Sequence, residues 1–71
     1  MLHAQIERAL EVNGALFNAL AVAQEMPTLT SATRFLQDKF ARSQIYRVVR
    51  ETPETVAVTM NGRAVARVGA E

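Results

Sequence analysis

The sequence predicts an α+β domain: a long N-terminal helix, one or two shorter helices and a C-terminal antiparallel β-hairpin. Three observations lead there. Residues 2–25 contain no proline and are rich in the strong helix formers Ala, Leu, Glu and Gln. Pro27 stops that run, and the polar stretch Thr28-Leu29-Thr30-Ser31 reads as the start of another helix. Near the end, two alternating apolar runs flank Asn61-Gly62. That dipeptide suits a type I′ turn, which needs positive φ at both central residues.

The first helix carries Ile6, Leu10, Asn13, Phe17 and Leu20 at alternating spacings of four and three, the pattern of a heptad seam. A polar residue such as Asn13 in a seam sets register and partner number, so these five residues form the expected dimer or partner interface. Asn13-Gly14 is also a break signal, and two readings stand: one continuous helix, or a helix that ends there and restarts. Beyond Gly14 the run from Ala15 to Ala23 is apolar almost all round. Such a helix wants burial on more than one face, and a partner chain is expected to cover the second.

The second helix is expected from about Ala32 to Phe40 or Ala41, with Thr30 or Ser31 as its cap and Phe35, Leu36 and Phe40 on its apolar side. Residues 43–51 carry two signals. Their β-branched content favours a strand. Ile45, Val48 and Val49 are spaced i, i+3, i+4, as one helical face requires. The spacing outweighs the composition, so a short third helix is expected, capped by Ser43, with Ile45, Val48 and Val49 as core. Pro53 bars its continuation. Read instead as a strand, this stretch makes the chain two helices on a three-stranded antiparallel sheet.

A two-residue turn at Asn61-Gly62 pairs Met60 with Arg63, Val58 with Val65 and Val56 with Arg67. One hairpin face is then Val56, Val58, Met60 and Val65, and the other holds Thr55, Ala57, Thr59, Ala64, Ala66 and Val68. An isolated hairpin is not stable in water, so one face must pack on the helices.

The 71 residues make a single small domain, 1–71. A core of that size contributes only a few kcal/mol of net stability without a staple. With no cysteine there is neither a disulfide nor a thiolate zinc site, and a reducing cytoplasm fits. Association is the remaining way to bury more surface, and 49% hydrophobic content leaves some to spare, so a homodimer is expected. The first eight residues lack a basic leader region, and the longest apolar run is too short for a membrane span. The net charge of +1 hides an asymmetry: residues 1–30 hold one basic residue against three acidic, and residues 31–71 hold seven against four. The second half is the expected anion-facing half.

Catalysis is not expected. His3 is the one histidine, there is no cysteine nucleophile, and Gly14, Gly62 and Gly69 lie too far apart for a phosphate loop. No residues show metal-ligand spacing, and no cofactor is expected.

Helix, helix, short helix and hairpin is the element order of the winged helix-turn-helix family, and the sequence resembles that family in layout. On that resemblance Ala41-Arg42-Ser43 is the turn, Ser43 to Glu51 the recognition helix, and Val56 to Val68 the wing. Phe35 or Leu36, and Lys39-Phe40, stand where the family carries small residues. The resemblance implies a small dimeric DNA-binding regulator of the repressor kind. Arg42, Gln44 and Arg47 would enter the major groove, Ser43 at the helix N-terminus would meet a phosphate, and Arg63 and Arg67 would serve from the wing. The stretch Thr55-Val-Ala-Val-Thr-Met-Asn-Gly-Arg-Ala-Val-Ala is also similar to the hairpin of Phd/YefM-type antitoxins, which dimerise and bind operator DNA. The alternative expectation is a non-catalytic protein–protein interaction module (inhibitor, adaptor or chaperone) that binds through its apolar helix or its hairpin edge.

Overall fold

The computed structural model describes residues 2–7 and 14–70. They form β1 (Leu2–Ile6), α1 (Gly14–Gln24), α2 (Leu29–Lys39), β2 (Tyr46–Thr52), β3 (Thr55–Met60) and β4 (Arg63–Ala70). The four strands make one sheet in the order β1-β4-β3-β2, and every neighbouring pair is antiparallel. The chain starts at one edge of the sheet, crosses it as two helices and returns at the opposite edge. It then winds back as a meander until β4 meets β1. Among the described residues no helix is long and apolar enough to cross a membrane.

This architecture corrects the expected fold class. A strand, not a helix, opens the chain. Leu2, Ala4 and Ile6 alternate with His3 and Gln5, the period-two signature of a half-buried strand. Leu2 is buried, Ala4 and Ile6 pack against the core, and Ala4 and Ile6 lie opposite Val68 and Ala66. The continuous helix over 2–25 is therefore replaced by β1 and by α1, which begins at Gly14. Leu10 and Asn13 of the expected seam lie outside the described residues.

The expected third helix is strand β2. Its even positions Tyr46 and Val48 face the helices and lie opposite Met60 and Val58. Of the three residues expected in the core, only Val48 packs there: Ile45 is 56% exposed and Val49 is 46% exposed. The i, i+3, i+4 spacing was a coincidence of composition; β3 offered a full ladder of hydrogen bonds, and pairing overrode a weak periodicity. With 43–45 a bent connection and Tyr46–Thr52 a strand, the recognition helix of the winged layout is absent.

Each helix buries one stripe. In α1 this is Leu16, Ala19, Leu20 and Ala23, and in α2 it is Leu29, Ala32, Thr33 and Leu36. Both sets fall at i, i+3, i+4, i+7, one face of an α-helix. Thr28, a little earlier than expected, caps α2: its Oγ1 accepts the Ser31 N–H at 3.1 Å. The buried Thr33 hydroxyl donates to the Leu29 carbonyl at 2.7 Å, so its burial leaves no unmet donor. α1 lies against β1 and β4, and α2 against β2, β3 and β4. The core closes around Leu16, Leu36, Val56, Val58, Val65 and Val68, all fully buried. Among the described residues, the second face of the sheet carries no helix.

Two turns join the meander. Asn61 has φ 53° and Gly62 φ 80°, the left-handed pair of a type I′ turn, and Met60 lies opposite Arg63. At Thr52-Pro53-Glu54-Thr55, Pro53 presets the φ of the first turn position. The Arg50 guanidinium donates to the Pro53 carbonyl at 2.9 Å, and Glu54 O accepts from Ala70 N at 2.9 Å, so both ends of this turn are tied down.

The register of β3 against β4 departs from a plain hairpin. Val58 lies opposite Ala66 and Thr59 opposite Ala64, which leaves Val65 as an inserted residue, a β-bulge. Val65 and Ala66 are therefore both buried, and Val68, not Arg67, lies opposite Val56. The expected pairs Val58–Val65 and Val56–Arg67 are each displaced by one residue. A one-residue slip exchanges the two faces. Without the bulge Arg67 would point at the helices and Val68 at water. With it, the core keeps its valine and the arginine moves to the open face.

Candidate interaction surfaces

The open face of the sheet carries an ion-pair clamp. Arg67 on β4 lies opposite Gln5 on β1 and Ala57 on β3. Its Nε and Nη2 donate to the two carboxylate oxygens of Glu51 at 2.7 and 3.2 Å, and its Nη1 bonds Glu7. One guanidinium thus joins the chain after β1 to the edge strand β2. To reach Glu51 from β4, the arginine must cross Ala57, which is fully buried although it lies on the open face. The clamp also assigns Arg67 a partner on each side, so this residue, expected to contact DNA, serves the sheet.

The hydrogen bonds from Arg67, and then its charge, hold the Glu51 carboxyl below its ordinary value of 4.5, and Arg67 is in turn pushed further above its ordinary range. A carboxyl lowered on folding contributes stability that is fully present above its unfolded pKa and is lost as pH falls through the folded one. In thermal melts, wild type should exceed Glu51→Gln above pH 4.5, and the gap should close as acid protonates Glu51. A gap that does not change with pH would show that the pair contributes nothing through charge.

A second surface gathers five of the six residues expected to bind DNA. Arg42, Ser43 and Gln44 lie in the connection from α2 to β2, Arg47 follows at the start of β2, and Arg63 opens β4 beyond the type I′ turn. The pairing of Tyr46 with Met60, and of Met60 with Arg63, brings these segments to one end of the sheet. Gln44, Ile45 and Arg47 border one shallow depression with Thr59, Asn61 and Gly62. Arg42, Gln44, Arg47 and Arg63 are exposed. Ser43 plays a structural part, since its Oγ accepts the N–H groups of Ile45 and Tyr46 at 3.1 and 2.9 Å and turns the chain into β2. Phe40 and Tyr46 close the connection from beneath, with ring centroids 5.4 Å apart.

The third surface is the outward side of α1. From Gly14 to Gln24 there is no charged side chain, and Ala15, Phe17, Asn18, Ala21 and Val22 are exposed. Phe17 is 57% exposed and Val22 49%. Phe17 and Ala21 continue into a groove shared with Ala4 and Ile6 of β1. The structure does not bring the expected seam together: Ile6 is a half-buried strand residue, Leu20 is buried in the core, and Phe17 alone of the described members faces outward. Val22 was not singled out within the apolar run from Ala15 to Ala23, Glu7 and Glu51 were expected at no site, and Val49 was expected in the core. The lack of charge through α1 was the available signal for Val22; the other three depend on strand pairing.

No family model, no curated protein and no solved structure matches the chain.

Proposed function

We propose that this chain is a small non-catalytic interaction module that binds a protein partner through the outward face of α1. The observation that carries this reading is the exposed, uncharged surface of Phe17, Ala21 and Val22 on a helix that already buries its other side. Exposed apolar patches of this kind mark interaction sites when they are contiguous. A phenylalanine is the sort of anchor that supplies binding energy at the centre of such a patch. The absence of cysteine suits work in a reducing cytoplasm.

The basic end of the sheet favours a second reading, contact with duplex DNA. Arg42 and Arg63 would neutralise phosphates there, and Gln44 carries an amide able to pair with adenine.

The test places a photo-crosslinking amino acid at the exposed neighbour Ala21 and compares capture in cells with Phe17 intact and with Phe17→Asp. The expected result is a discrete crosslinked partner that Phe17→Asp loses, with the circular dichroism spectrum unchanged because the side chain is exposed. Capture that ignores Phe17→Asp and Val22→Asp would overturn the reading. A DNA mobility shift that weakens with salt, and disappears in Arg42→Ala and Arg63→Ala, would favour the second reading instead.

A further inference from the structure

We propose that β2 pairs with β2 of a second copy, antiparallel about a twofold axis at Val49, to give a continuous eight-stranded sheet. This goes beyond the reading of α1, because it uses the opposite edge of the sheet.

The two sheet edges are treated differently. At the β1 edge, the outward N–H of Ala4 is taken by Oε1 of Gln24 from α1 at 3.3 Å. At the β2 edge no helix residue supplies such a bond among the described residues. Which groups of β2 face outward follows from two bonds. The Arg47 carbonyl accepts from the Thr59 hydroxyl on β3 at 3.4 Å, so it points inward, to β3. The Tyr46 N–H donates to the Ser43 Oγ at 2.9 Å. Backbone groups alternate sides along a strand, so Val48 and Arg50 present their N–H and C=O groups to the open edge.

Those are the groups that a twofold at Val49 requires. It places Val48 opposite Arg50 of the second copy as a hydrogen-bonded pair, and Arg50 opposite its Val48. Val49 then faces its own copy in a non-hydrogen-bonded position, where side chains come closest. The same axis places Arg47 opposite Glu51 of the second copy, and Glu51 opposite its Arg47. Arg47 and Val49 lie on one face of the strand; Glu51 falls at the register shift after Arg50 and reaches the same face, where it also holds Arg67, so an apolar pair is flanked by two opposite-charge pairs. Opposite charges across an antiparallel pair are favourable, and like charges are not. Arg47 is exposed and has no ion-pair partner among the described residues, and Val49 is 46% exposed. Charges along an edge ordinarily repel other strands. Here their order, positive, apolar, negative, is self-complementary only in the antiparallel sense. Arg47 is thereby assigned to self-association rather than to the basic end.

Sedimentation equilibrium on the intact chain tests this. Wild type should approach twice the 7.8 kDa chain mass as concentration rises. Arg47→Glu and Glu51→Arg should each fall to the single-chain mass, since each places two like-charge pairs across the axis. An equimolar mixture of the two variants should recover the doubled mass, because each then meets the opposite charge at both positions. That recovery separates a lost interface from a lost fold. A wild type that stays at the single-chain mass overturns the proposal. So does a doubled mass that Arg47→Glu leaves intact, or that only Phe17→Asp abolishes, in which case α1 is the self-association surface.

Discussion

Leu36→Ala should lower the melting temperature by about 10–30 °C. Leu36 is fully buried on the inner stripe of α2, the helix that lies over β2, β3 and β4. Truncating a buried leucine loses its transfer free energy and leaves a cavity, at a cost of roughly 2–5 kcal/mol. A domain of this length holds only about 4–10 kcal/mol in total. At roughly 4–8 °C per kcal/mol, the melting shift is large enough to read directly from far-ultraviolet circular dichroism. Phe17→Ala is the control on α1: its side chain is mostly in water, and its cost should stay within about 0.5 kcal/mol. Equal shifts for the two would mean that α2 is not docked on the sheet as described.

Val58→Asp should unfold the chain at neutral pH, while Val49→Thr should leave its stability nearly unchanged. Val58 is fully buried at the centre of the sheet, with Val48 opposite on one side and Ala66 on the other. Neither neighbour is a cation that could compensate a carboxylate there. A buried unpaired charge belongs to the small class of substitutions that cost more than about 4 kcal/mol. Val49 points to the open face, so a hydroxyl there stays hydrated, and the change should fall within about 0.5 kcal/mol. Urea titration at high dilution, where self-association does not contribute, reads both values. A helix over 43–51 with Val49 in its core would instead make Val49→Thr cost about 1–3 kcal/mol. The pair of variants therefore tests the largest correction to the expected fold.

Some of this structure was legible locally. Asn61-Gly62 specifies its turn through a backbone preference that needs no partner, and the described φ values of 53° and 80° are those of that turn. The second helix lies within a few residues of its expected span because Pro27 and the hydroxyl residues after it act within one turn of chain. β1 was legible too, in the alternation of Leu2, Ala4 and Ile6, but the high helix propensity of the residues downstream masked it. The span from Tyr46 to Thr52 was ambiguous for a physical reason: a seven-residue strand has little intrinsic preference, and its state depends on whether β3 is available beside it.

The surfaces were less legible than the elements. Arg42, Gln44, Arg47 and Arg63 are spread along the chain, and the register of β2 on β3 and of β3 on β4 is what gathers them. Arg67 depended on a single inserted residue at Val65, which no propensity announces.

By itself, the sequence determined the turn at Asn61-Gly62, the approximate span of the second helix and the absence of charge from Gly14 to Gln24. These are consequences of side-chain chemistry over a few neighbouring residues. Only the tertiary structure decided that the chain opens with a strand, that residues 46–52 pair with β3, and that Arg67 clamps the open face. Each of those depends on the free energy of burying one face of a sheet, which is shared among segments far apart in sequence and appears only once they meet.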